Sequence, residues 1–181
     1  MNTIDILQNH GVILTPTDTI LGLSCLITSP KALDKIVQIK QRPQDKGFII
    51  LVDNAARLQQ MVEVPDLAWD LIDLSEKPIT IVYDTLLQVP DYLQAEDGTV
   101  AIRMVKYPPL QKLIAQCKTP LISTSANIAG QEPPKTLSQV HPDIISQVDL
   151  VTPDSQNFTP QYTSSSIIRL SADSSVKIIR E

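Results

Sequence analysis

The chain has 181 residues, of which 43% are hydrophobic and 19% are charged. This length and composition predict one globular domain over residues 1–181 and exclude a largely disordered chain or one that needs disulfide bonds to fold. Twenty acidic against fifteen basic residues give a net charge of −5, which is not typical of a general nucleic-acid-binding protein.

Apolar periodicity and turn residues predict alternating helices and strands. In chain order we predict a helix over 3–10, a strand over 12–15, a helix from Ser29-Pro30 to Lys40, a strand over 48–52, helices over 58–62 and 67–74, strands over 79–83 and 100–103, a helix over 108–117, a strand over 120–123, a loop over 124–130, a helix over 144–148, and strands over 166–170 and 176–179. This alternation predicts an α/β fold, with a twisted mixed sheet on which helices pack.

The amino terminus has no signal-peptide pattern, because Asp5, Gln8 and His10 interrupt its apolar residues. The longest purely apolar run, 48–52, is too short to cross a bilayer. Cys25 and Cys117 are far apart in sequence and are interpreted as buried thiols of a reducing compartment. We therefore expect a cytoplasmic protein without membrane contact.

Two segments are locally basic. Residues 31–46 hold five bases against two acids, and residues 103–135 hold five bases against one acid. One interpretation is that these are solvated helix faces. The other is that the two segments meet around an anionic ligand.

Several common site types are excluded by the sequence. The five glycines are widely separated, so a dinucleotide-binding glycine motif is impossible. Pro133 and Pro134 lack the N–H groups that a phosphate-binding loop at 130–136 would need. His10 and His141 have no cysteine or carboxylate at zinc-ligand spacing, so no protein-held metal site is predicted.

Three polar segments remain as candidates for a site. Pro16-Thr17-Asp18-Thr19 follows a predicted strand, where ligands of α/β sheets bind, although such residues also serve as helix or turn caps. Lys40 and Arg42 end a predicted helix and could hold phosphate, although basic residues also favour helix carboxyl termini. Small polar residues at 123–127 could wrap an anion or form an ordinary turn.

The order and spacing of these segments resemble the YrdC family along essentially the whole chain, and in particular its short bacterial members. The matching segments are Pro16-Thr17-Asp18-Thr19-Ile20-Leu21-Gly22-Leu23, Lys40-Gln41-Arg42-Pro43 with Asp45-Lys46-Gly47, Val100-Ala101-Ile102-Arg103 followed by Pro108, Ser123-Thr124-Ser125-Ala126-Asn127 with Gly130, and Ser165-Ser166-Ile167-Ile168.

The resemblance implies an enzyme, a nucleotidyltransferase that makes threonylcarbamoyl-AMP and pyrophosphate from ATP, L-threonine and bicarbonate for a tRNA modification. Mg²⁺ would accompany ATP. The product would pass to other tRNA threonylcarbamoylation proteins, with at most weak contact to tRNA. By the same resemblance, the nucleotide would be bound by Lys40, Arg42, Ser125, Asn127 and Arg180. The threonine and bicarbonate pocket would be lined by Thr17, Thr19, Arg103 and Ser165.

The sequence departs from the family pattern at a few positions. Leu21 stands where an aromatic residue is usual, and Glu76-Lys77-Pro78 replaces a Pro-Gly-Pro turn. Leu51 stands where longer members have histidine, which is typical of the short form. No general base is evident. Two other functions stay open: an RNA-binding module without this chemistry, and a paralogue with a different nucleotide-dependent activity.

Overall fold

The computed structural model describes residues 2–41, 48–162, 164–171 and 175–181. Its helices are α1 (Thr3–Gln8), α2 (Pro30–Lys40), α3 (Ala55–Met61), α4 (Asp66–Leu74), α5 (Pro108–Cys117) and α6 (Pro142–Gln147). Its strands are β1 (Ile13–Pro16), β2 (Leu21–Leu26), β3 (Ile49–Val52), β4 (Ile79–Tyr83), β5 (Val100–Met104), β6 (Leu121–Ser125), β7 (Leu150–Val151), β8 (Ser166–Leu170) and β9 (Val176–Arg180).

The strands of the described ranges form one sheet in the order β7-β1-β2-β6-β3-β5-β4-β8-β9. The pairs β1–β7, β3–β5 and β4–β8 are parallel, and the other neighbours are antiparallel. The sheet is therefore mixed, and the predicted α/β class is confirmed.

Each face of the sheet has its own hydrophobic core. The larger core contains Leu23, Ile50 and Ile81 from the sheet, and Leu33 and Ile72 from helices α2 and α4. The smaller core lies on the opposite face and is built by the following residues: Leu7 of α1, Leu110 and Ile114 of α5, and Ile13, Leu26, Leu51 and Leu121 of the sheet. Because α1 and α5 cover only one end of that second face, polar residues further along the same strands can border a cavity.

Local capping explains where the first helices begin and end. Asn2 and Asp5 exchange backbone-to-side-chain hydrogen bonds of 2.9 and 3.1 Å, a capping box that starts α1. The hydroxyl of Ser29 accepts the Ala32 N–H at 3.3 Å and starts α2. Gln41 is left-handed, with φ of 52°, and ends α2 directly after Lys40.

The structure differs from the sequence prediction around the third polar segment. We predicted a loop from Thr124, but β6 continues through Ser125, because Thr124 and Ser125 pair with Leu23 and Gly22 of β2. Strand β2 was not predicted. All six of its residues are buried, so it lacks the alternation that marks a half-exposed strand.

The two cysteines are buried and free, as predicted. Burial raises the pKa of the Cys25 thiol to about 12, so this thiol stays protonated near neutral pH. In the described part of the chain, no helix combines the length and apolarity that a membrane span requires.

Candidate active site

A cavity of about 210 Å³ opens on the partly covered face of the sheet. The walls come from the turn after β1, from strands β2, β3, β5 and β6, from the segment before β8 and from the end of β9. The residues that line it are Thr17, Thr19, Ile20, Gly22, Ile49, Arg103, Ser123, Thr124, Ser125, Pro133, Ser164, Ser165 and Arg180. Six of the nine predicted site residues thus line this one cavity. They are Thr17, Thr19, Arg103, Ser125, Ser165 and Arg180.

The turn between β1 and β2 is built around the Thr17 hydroxyl. Its Oγ1 accepts the backbone N–H groups of Thr19 and Ile20 at 3.1 and 3.2 Å, and lies 2.9 Å from Thr19 Oγ1. Both threonine side chains are almost fully buried, at 3% exposure each. The Thr17 hydroxyl therefore stabilises the turn, as the capping interpretation proposed. The same turn places both threonine side chains at the cavity.

Arg103 enters the cavity from β5 and is 5% exposed. Its Nη1 lies 3.4 Å from Thr19 Oγ1, and its Nε lies 3.2 Å from Asp18 Oδ1. Desolvation lowers the pKa of Arg103, the Asp18 carboxylate opposes that shift, and the charge of Arg180 adds to it. The guanidinium is thus a buried cation beside a second cation, which favours an anionic ligand in the cavity.

Lys40 lies behind the cavity and not on its wall. Its ammonium donates to the backbone oxygens of Ser125 and Asn127 at 2.6 and 2.8 Å, and lies 3.4 Å from Asn127 Oδ1. Its side chain is 1% exposed. Because these oxygens belong to a distant segment, Lys40 is not simply a cap of its own helix. The two basic segments do meet here, and the ammonium fixes the loop after β6.

The remaining predicted nucleotide-binding residues have different positions. Asn127 lies with Lys40 behind the wall, where its Nδ2 donates to Gln131 O at 2.6 Å. Arg42 lies outside the described residues. Arg180 reaches the cavity from β9, whose pairing places it opposite Ile167.

Arg180 and Ser165 form the side of the cavity nearest the end of the sheet. The Arg180 Nε and Nη2 donate to the Ser165 carbonyl at 3.1 and 2.9 Å. The Ser165 hydroxyl lies 2.8 Å from the hydroxyl of Thr80 on β4. Burial lowers the pKa of Arg180. The sequence analysis missed Thr80, because a threonine within a buried strand gives no further indication of a role at the site.

The departures from the family pattern lie outside the described lining of the cavity. Leu21 is fully buried in the larger core, so its side chain supports the sheet from the opposite face. The turn before β4 is closed by Ser75, whose hydroxyl donates to Lys77 O at 2.9 Å. Pro78 O then accepts the Ser166 N–H at 3.1 Å, which keeps β4 and β8 in register.

Solved structures with the same fold place the chain in a known class. The Sua5 of P. abyssi complexed with L-threonine superposes with a TM-score of 0.82 and 26% identity, over 92% of this chain and 49% of that one. The YciO of E. coli superposes with a TM-score of 0.82 and 25% identity, over 98% of this chain and 86% of that one. The chain spans about half the length of the P. abyssi Sua5 chain. Fold and cavity together define a YrdC-type α/β domain.

Sequence comparison identifies the family itself. A family model named Sua5_yciO_yrdC and described as "Telomere recombination" matches residues 5–181. A protein of Yersinia enterocolitica named threonylcarbamoyl-AMP synthase is 35% identical over 138 residues, which cover 74% of this chain and 73% of that protein. The chain belongs to the Sua5/YciO/YrdC family, and the resemblance noted in the sequence is confirmed.

Proposed function

We propose that this protein is a threonylcarbamoyl-AMP synthase, which makes threonylcarbamoyl-adenylate and pyrophosphate from ATP, L-threonine and bicarbonate. The observation that carries the proposal is the pair of guanidinium groups, Arg103 and Arg180, facing one small cavity lined by hydroxyls. A relative that bears this enzyme's name supports it, and so does a structural neighbour crystallised with L-threonine.

Threonine fits the inner part of the cavity by charge and by size. The Arg103 guanidinium would pair with the substrate carboxylate, because a planar fork matches two carboxylate oxygens. Thr17, Thr19 and Ser165 would surround the substrate hydroxyl and the bicarbonate. The volume of about 210 Å³ lies below the roughly 300–1,000 Å³ of pockets that bind drug-sized ligands. ATP must therefore extend beyond this cavity.

ATP, bound as its magnesium complex, would place its phosphates toward Ser125 and Arg180. Lys40, Arg42 and Asn127 complete the proposed nucleotide site. The Lys40 ammonium is held by the loop carbonyls, so it contributes a fixed positive charge from behind the loop. It would contact a phosphate directly only if a phosphate oxygen replaced one of these carbonyl oxygens. Small side chains and loop amides would then contact the anion itself.

The reaction proceeds by two bond-forming steps. Bicarbonate takes up a proton, breaks a C–O bond and loses water to give CO₂; the neutral amine of threonine adds to the CO₂ carbon and gives up a proton in return, which leaves a carbamate. A carbamate oxygen then attacks the α-phosphorus of ATP, and pyrophosphate leaves with the electron pair of the broken P–O bond. We assign no general base. Orientation by Arg103 and charge stabilisation around the phosphates supply the catalysis.

The cell context of the proposal follows from the product. The adenylate would be passed in the cytoplasm to other proteins of tRNA threonylcarbamoylation, and tRNA contact with this chain would be weak. A purely RNA-binding module is not favoured, because a relative of 35% identity carries an enzyme's name. That alternative predicts tight tRNA binding with a steep salt dependence and no need for ATP.

Steady-state pyrophosphate release tests the proposal. Release should require ATP, threonine and bicarbonate together. Serine, one methyl smaller, should show a kcat/KM about 10- to 200-fold lower, and valine, which lacks the hydroxyl, a kcat/KM lower by up to about 10⁴-fold. Release of orthophosphate, or independence from threonine, would contradict the assignment. If valine equals serine, the hydroxyl is not recognised and the placement of Thr17, Thr19 and Ser165 is wrong.

A further inference from the structure

Asp18 is a buried carboxylate that the proposed reaction does not use. Its side chain is 6% exposed, and its Oδ1 lies 3.2 Å from Arg103 Nε. Its Oδ2 accepts the backbone N–H of Lys106 at 3.2 Å. Asp18 Oδ1 and Arg103 Nε are both closed to solvent, and within the described ranges neither has a well-directed hydrogen-bond partner. The contact is thus an ion pair whose N–H is not aligned with the carboxylate.

Asp18 approaches Arg103 from outside the candidate active site. It borders a neighbouring depression of about 730 Å³, together with Lys106 and Thr17. Of these three, only Thr17 also borders the active-site cavity. A substrate in the active-site cavity therefore meets Arg103, with the carboxylate of Asp18 behind it.

The surroundings of Arg103 make this carboxylate necessary. A buried cation is stable only when it is paired, because burial removes its hydration. The neighbouring charge of Arg180 disfavours the Arg103 cation further, and Asp18 is the charge that offsets both effects. The Nε side of the guanidinium faces Asp18 while Nη1 lies near Thr19 Oγ1 on the cavity wall.

We propose that Asp18 is a positioning residue, which holds Arg103 through Nε so that its Nη edge is presented to the carboxylate of the amino-acid substrate. The inference rests on the proposed function and adds a specificity determinant to it. Asp18 touches no substrate itself; its charge attracts the Nε side of the guanidinium, which leaves the Nη edge free for bidentate recognition of a carboxylate.

The test compares Asp18→Asn with Asp149→Asn in threonine titrations of the full chain. Asp149 is the control, because it also accepts a backbone N–H, from Val12 at 2.7 Å, and also pairs with a base, Lys35, at 2.7 Å, in a more exposed pair whose Asp149 side chain is 39% exposed. It does not line the cavity. Asp18→Asn should weaken threonine binding by about 10- to 100-fold, the range of a lost charge-assisted contact, and leave ATP binding unchanged. Asp149→Asn should lower the melting temperature only.

Threonine amide supplies a readout that a purely structural role of Asp18 would not change. The native protein should prefer threonine to its amide by about 10-fold or more, because Arg103 reads the charged carboxylate, and Asp18→Asn should lose most of that preference. Should Asp18→Asn fail to fold, Asp18→Glu keeps the charge, displaces it by one methylene, and should reduce the preference in the same direction. Unchanged preference in the folded variant overturns the inference. A native protein that binds no threonine overturns the proposed function, and this inference with it.

Discussion

At the scale of single residues, Lys40 illustrates how a buried charge can act through its neighbours. Its ammonium holds the carbonyls of Ser125 and Asn127. The methylene stem is enclosed, since the whole residue is 1% exposed. A cation fixed in this way both orders the loop and adds positive potential to an anion site in front of it.

Replacing Lys40 by methionine keeps much of the volume and removes the charge. We expect ATP binding to weaken by about 10- to 100-fold, since charge-assisted contacts are worth about 1.5–3 kcal/mol. Calorimetric titration with ATP, alongside a melting curve, measures this. Lys35→Met is the control on the same helix, because Lys35 pairs with Asp149 and not with the loop. Equal ATP affinity in the two variants would show that Lys40 is only structural.

The sequence could indicate most of the residues that line the cavity but not how they are held there. The resemblance to the YrdC family implied Thr17, Thr19 and Arg103 at the site, and all three line the cavity. The ion pair between Asp18 and Arg103 and the contact of Lys40 with Asn127 each join residues more than eighty positions apart. Pairing across such a separation depends on sheet order, which no local pattern in the sequence specifies.

At the scale of elements, strand β2 contributes part of the cavity wall through Gly22. It pairs with β1 on one side and β6 on the other. Gly22 lies at the cavity, where a Cβ would come within 2.7 Å of Ser123 Oγ and 3.3 Å of Thr124 O. A side chain at this position would therefore be crowded, mainly by the Ser123 hydroxyl.

Gly22→Ala should destabilise the protein by about 1–3 kcal/mol, the usual cost of overpacking, and narrow the cavity. Urea denaturation measures the first effect and threonine titration the second. Adding Ser123→Ala removes the nearer of the two obstructing atoms, so the double variant should recover part of the lost stability. A single variant as stable as the native protein would contradict the packing seen here.

Element prediction succeeded where local signals were strong. The predicted start of α1 at residue 3 and the predicted start of α2 at Ser29-Pro30 follow from capping residues, and the structure confirms both, together with the predicted end of α2 at Lys40. Helix α3 begins at Ala55, earlier than predicted, because Asn54 caps it by accepting the Arg57 N–H at 2.9 Å. Strand β7 was missed, since a two-residue strand pairing with β1 leaves no periodic signal.

At the scale of the whole molecule, the chain is acidic but its cavity is not. The net charge is −5, while the described residues that line the cavity include two arginines and no acidic side chain. The acidic total argues against general nucleic-acid binding, and the local cations favour a small anionic ligand. The positions of the helices locate the cavity. Helices α1 and α5 pack over one end of this face of the sheet, and Arg103 and Arg180 line the cavity at the other end.

The central claim is that this cavity joins threonine, bicarbonate and ATP into one adenylate. The most direct measurement is mass spectrometry of the product formed with isotopically labelled bicarbonate. We predict an adenylate that contains threonine and carries the label in its carbamoyl carbon, released with pyrophosphate. An unlabelled threonine adenylate, or AMP or ADP without a threonine-containing product, would contradict the account.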